Sequence, residues 1–156
     1  MNEAKSKQGK AFVLVGHAHW GKSETLKEFK GGGNRNLWIT IENIRIFIRM
    51  TSNDDDEDAL DNFIKDLEVG EKPVLVLTLC PKFSNGSKTR KILESLNKDY
   101  ELFFFVLRRK YKPERDIPEE EISRLRPFGE VEVLEGKLEK KDRAKKFRDF
   151  IKKHLS

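Results

Sequence analysis

The sequence predicts an α/β fold: a three-layer α/β/α sandwich around a mostly parallel sheet, with one antiparallel hairpin at its edge. Two observations predict it. Short apolar runs alternate along the chain with segments whose apolar residues recur at helical spacing, as in a parallel sheet with helices on both faces. In addition, residues 37–50 switch to strict period-2 alternation about Glu42 and Asn43, which reads as a β-hairpin with one exposed face.

The elements follow in order. AFVLV (11–15) is a strand buried on both faces. After a glycine-containing loop, residues 22–30 read as a helix with Leu26 and Phe29 inward, stopped by Gly31, Gly32 and Gly33. In the hairpin Leu37, Ile39 and Ile41 alternate with Trp38 and Thr40, and Ile44, Ile46, Ile48 and Met50 with Arg45, Phe47 and Arg49. Residues 51–58 form an acidic loop, and Ala59, Leu60, Phe63, Ile64 and Leu67 recur as in a helix. PVLVLTL (73–79) is a second continuous apolar strand, followed by a loop over 80–86 and a helix over 87–98 with Ile92, Leu93 and Leu96 inward. LFFFVL (102–107) is a third such strand. Asp116 is the expected N-cap of the next helix, with Pro118 and three glutamates in its first turn and Ile122 and Leu125 on its inner side. Residues 131–134 form a last strand, and Ala144, Phe147, Phe150, Ile151 and Leu155 stripe a final helix.

A chain of 156 residues without a linker suits one domain over residues 1–156, and residues 1–9 are expected to form a flexible tail. Cys80 is the sole cysteine, so no internal disulfide forms and a reducing, cytoplasmic setting is expected. No apolar run approaches the roughly 18 residues of a membrane span, and the polar first ten residues lack a signal-peptide core. The net charge of +5 admits anionic partners, but no nucleic-acid motif with interleaved aromatics is present. The basic residues of the final helix read first as the wet side of a core-packed amphipathic helix.

Residues 16–23 read GHAHWGKS, the G-x-x-x-x-G-K-[ST] pattern of a phosphate-binding loop, between a strand and a helix as that motif requires. A chance match in a chain this long has odds on the order of one percent or below. Gly16 sits where the backbone turns, and Gly21 lets it approach phosphate without a Cβ in the way. Backbone N–H groups from Ala18, His19, Trp20 and Gly21 to Ser23 would cradle the phosphates, helped by the helix N-terminus. Lys22 would reach the β- and γ-phosphate oxygens, and Ser23 would offer its hydroxyl to Mg²⁺. His17 and His19 lack a nearby cysteine or third histidine, so they read as packing or nucleotide-facing groups rather than metal ligands.

This loop resembles the G-H-V-D-H-G-K-[ST] loop of translation-factor GTPases, and the order of elements resembles that of the Ras-like G domain. The resemblance implies a P-loop NTPase fold and binding of ATP or GTP with Mg²⁺. Other signatures of that family are missing. Its D-x-x-G aspartate should follow the hairpin, where residues 50–55 read MTSNDD; Asp54 or Asp55 could substitute as the acidic partner for Mg²⁺, or the stretch is a solvated acidic loop or charge at a helix N-terminus. Its N-K-x-D guanine reader should follow the strand ending at Leu107, where residues 108–112 read RRKYK, so guanine selection does not follow.

In an open α/β sheet, ligands bind beyond the carboxyl ends of the parallel strands. The loops at 52–58, 80–86 and 108–115 therefore belong near residues 16–23, and the last is strongly basic. The expected function is nucleoside triphosphate binding, as a slow NTPase or a nucleotide-dependent switch. The alternatives are a small kinase-type phosphotransferase, with the basic 108–126 region as its lid, and a non-enzymatic pseudo-GTPase that docks a protein partner.

Overall fold

The computed structural model describes residues 9–16, 22–31, 37–49, 62, 74–79, 89–107, 109–111, 114–134 and 139–155. The elements are β1 (Gly9–Val15), α1 (Lys22–Lys30), β2 (Leu37–Ile41), β3 (Ile44–Ile48), β4 (Val74–Leu79), α2 (Thr89–Asn97), β5 (Tyr100–Leu107), β6 (Arg109–Tyr111), β7 (Glu114–Asp116), α3 (Glu119–Ser123), β8 (Gly129–Leu134) and α4 (Lys140–Leu155).

Six strands form one sheet in the order β2-β3-β4-β1-β5-β8, and β6 and β7 form a separate two-stranded ribbon. Every neighbouring pair in the large sheet is parallel except β2 with β3. β1 is central: Val15 lies in register with Leu79 of β4 and Val106 of β5. Neighbours on both edges and helices on both faces leave no wet side, which is why AFVLV and LFFFVL carry no polar residue. Among the described residues β8 has a partner on one edge only, and its exposed Glu130 and Glu132 alternate with half-buried Val131 and Val133.

The pleat divides the core in two. Phe12, Leu14, Phe103 and Phe105 face Leu26 and Phe29 of α1 and Phe147, Phe150 and Ile151 of α4. Ala11, Val13, Val15, Leu102, Phe104 and Val106 face Ile92, Leu93 and Leu96 of α2 and Ile122 of α3. The helices thus cover both faces in three layers. α4 also grips α1 with polar contacts: Arg143 Nε donates to Thr25 Oγ1 at 2.9 Å, and an Arg148 guanidinium nitrogen donates to Phe29 O at 2.9 Å.

The hairpin stands as expected. Glu42 and Asn43 both take positive φ, 51° and 67°, the backbone of a primed two-residue turn whose twist matches the strands it joins. Gly31 ends α1 at φ 89°, a left-handed stop that glycine adopts without steric cost.

Several expectations change. β1 begins at Gly9, which is buried and paired with Tyr100, so position 9 belongs to the sheet. Asp116 is not an N-cap: it lies in β7 opposite Arg109. The cap position of α3 is Pro118, whose carbonyl accepts from the N–H groups of Glu121 and Ile122, and no side chain caps it. Proline's fixed φ, here −61°, suits a helix start without a capping side chain. α3 ends at Ser123, so buried Leu125 packs from the following turn. The basic stretch after β5 is not a plain loop, since it includes the β6–β7 ribbon. Met50, the helix expected about residues 59–67 apart from Asn62, and the loop at 80–86 lie outside the described residues.

Candidate functional site

Right-handed crossovers send the chain from β1 across the α1 face toward β3, and from β5 across the opposite face toward β8. Two adjacent parallel strands whose connections leave in opposite directions open a crevice at their carboxyl ends. Here those strands are β1 and β5, and the crevice lies where Val15 and Leu107 end them. Gly16 therefore lies at the switch point of the sheet, where β1 ends.

The two ends of that segment are described. Gly16 is buried, and its N–H donates to Leu79 O at 3.0 Å, carrying the ladder between β1 and β4 one residue past the strand. α1 opens at Lys22, with Ser23 as its second residue and Glu24 in its first turn. The chain thus passes from strand to helix between Gly16 and Lys22, the strand–turn–helix context that the motif needs. A helix N-terminus presents backbone N–H groups that have no partner within the helix, together with partial positive charge, and α1 begins at this end of the sheet. Ala18, His19, Trp20 and Gly21 lie outside the described residues, as do His17 and Asp54.

The sheet order bears on Asp54. The resemblance makes an acidic residue after the hairpin share an ion with Ser23. β4 separates β3 from β1, which sets β3 about 10 Å to the side at the usual strand spacing. Ile48 is level with Val76, and Val76 with Phe12, so β3 also stops three positions short of Val15. The strand that borders β1 on this side, and reaches its full height, is β4.

β4 carries a residue that sequence reasoning passed over. Thr78 is 2 % exposed, in register with Leu14, and so lies on the α1 face of the sheet. Among the described residues its Oγ1 has no hydrogen-bond partner. The available signal was one hydroxyl in an otherwise apolar run, one residue before the strand ends. Two other buried side-chain polar atoms among the described residues, Tyr100 Oη and His154 Nε2, also lack a well-aligned partner, but both lie at the amino-terminal end of the sheet. His154 stacks on Phe103 at 4.5 Å between ring centres and brings Nε2 to 2.8 Å from Glu130 Oε2.

The β6–β7 ribbon leaves β5 at the same crevice, with Lys110 opposite Arg115 and Tyr111 opposite Glu114. Among the described residues no cluster of three His, Cys, Asp or Glu side chains could hold a metal ion, and no helix is long and apolar enough to cross a membrane. Comparison with protein-family models, with curated proteins and with solved structures finds no match to this chain.

Proposed function

We propose that the protein binds the triphosphate of a nucleotide, ATP or GTP, with Mg²⁺, at residues 16–23. One observation carries the reading: the phosphate-loop pattern falls between the carboxyl end of the central strand and the first turn of a helix, at the crevice where the sheet changes direction. In this reading Gly16 and Gly21 shape the turn, the N–H groups of Ala18, His19, Trp20 and Gly21 face the phosphates, Lys22 spans β- and γ-phosphate, and Ser23 meets the metal. Mg²⁺ would neutralise phosphate charge and hold the oxygens in place. The β6–β7 ribbon favours a second reading, phosphoryl transfer to an acceptor, because basic residues follow β5 at the same end of the sheet as Gly16.

Tryptophan fluorescence tests binding, because Trp20 lies within the loop. Trp38, half exposed, with the Arg45 guanidinium over its ring and Phe47 packed at a tilt against it, supplies a background that Trp38→Phe removes. Titration with ATP and GTP, with and without Mg²⁺, should give a saturable change. Lys22→Ala removes charge-assisted hydrogen bonds of about 1.5–3 kcal/mol and should weaken binding by about 10- to 100-fold. No saturable change with either nucleotide at millimolar concentration overturns the proposal. Phosphate release then distinguishes a hydrolase from a simple binder, and phosphate appearing on an added acceptor supports transfer.

A further inference from the structure

We infer that Thr78 completes the phosphate site: its hydroxyl is the polar group that β4 contributes to a bound Mg²⁺–triphosphate. The inference rests on the nucleotide reading above and adds a residue outside the motif. A buried hydroxyl nearly always finds a partner, and one without a partner calls for an explanation. Thr78 lies on the strand that borders β1, level with Leu14, two positions below Gly16, on the face that α1 covers. α1 starts after β1, at the carboxyl end of the sheet, and Thr78 stands one residue before the carboxyl end of β4, so both lie at the same end of the sheet.

The strand around Thr78 is otherwise apolar, so packing alone does not call for a hydroxyl there. Leu75, Val76, Leu77 and Leu79 surround it in the strand, all apolar and all buried, and valine would fill the same space without an unmet hydrogen bond. A group that costs stability in the free protein and stands beside a phosphate-binding turn is accounted for if it gains its partner on loading. A threonine hydroxyl both donates and accepts, so it can bond a phosphate oxygen or a water in the metal's shell. The chain offers no acidic residue at this strand end, where Leu79 is followed by Cys80 and Pro81. Thr78 is then a neutral positioning residue at the place where a carboxylate would add charge.

The test is thermal unfolding and nucleotide titration of the whole chain as wild type, Thr78→Val, Thr78→Ser and Lys22→Ala. Thr78→Val should melt no lower than wild type when free, because it removes an unpaired polar group. It should bind Mg²⁺–ATP or Mg²⁺–GTP about five- to tenfold more weakly, with a smaller ligand-induced rise in Tm. Thr78→Ser, which restores the hydroxyl, should recover wild-type affinity. Wild-type affinity in Thr78→Val overturns the inference alone, and so does free Thr78→Val melting well below wild type, since the hydroxyl would then have a partner within the fold. If wild type and Lys22→Ala both show no ligand-induced rise, the nucleotide reading falls and takes the inference with it.

Discussion

Tyr100 and Gly129 show how single residues constrain this fold. The Tyr100 hydroxyl is buried at the start of β5 without a partner, and burial, with a smaller contribution from the Asp99 carboxylate, pushes its pKa up to about 12 from 10.0. The neutral phenol is the form the fold accepts. Between pH 10 and pH 12 the unfolded chain has released this proton while the folded chain keeps it, so stability falls as pH rises. The contribution, roughly 2 kcal/mol at most, is fully present below pH 10 and lost through pH 12. Tyr100→Phe should abolish that part of the alkaline slope in urea midpoints taken from pH 9 to 12, and should leave neutral-pH stability unchanged or raised. Gly129 is constrained by space: a Cβ there would lie 2.1 Å from Leu102 O, where β8 enters against β5. Gly129→Ala should cost about 1–3 kcal/mol, read as a lower denaturation midpoint with an unchanged m-value. At Gly31 a Cβ would meet nothing within 4 Å, so substitution there is opposed by the positive φ alone.

Among the elements, α4 does the most to close the core. Phe147 is fully buried, with its ring centre 5.3 Å from that of Phe29 in α1 and 5.5 Å from that of Phe105 in β5. Phe147→Ala should cost about 3–5 kcal/mol, a large share of a typical domain's 5–15 kcal/mol, whereas exposed Lys141→Ala should change stability by less than about 0.5 kcal/mol; far-UV circular dichroism during urea titration reads both. This helix was legible because its apolar residues repeat at helical spacing and its basic residues fall between them. The β2–β3 hairpin was legible because period-2 alternation reverses about two turn residues. Asp116 was not. An acidic residue ahead of Pro118 and three glutamates has the composition of a helix start, and only pairing with Arg109 across the β6–β7 ribbon reveals a strand. Pairing is a non-local property that local composition does not carry. Thr78 was missed for a related reason: in PVLVLTL it reads as one more β-branched strand residue, and its unmet hydroxyl exists only once Leu14 and α1 surround it.

At the scale of the whole molecule, the apolar runs announced buried parallel strands but not which run lies beside which. AFVLV, PVLVLTL and LFFFVL are interchangeable as patterns, and their order follows from crossover direction and helix placement. That order makes β4 the neighbour of β1 and sets the end of β3 away from the end of β1, which neither the motif nor its spacing foretold. The same architecture has a consequence for synthesis. One face of the sheet, with Phe12, Phe103 and Phe105, is covered by α1 and α4 together, and the contact from Arg143 to Thr25 spans 118 residues of chain. On the ribosome, at about 5–20 residues per second, β1 and α1 wait on the order of ten seconds for the helix that seals them. During that interval α1 packs only half of its platform and a row of phenylalanines stays open to water. The nascent chain therefore carries an open apolar face whose lifetime is set by translation, until α4 arrives to cover it.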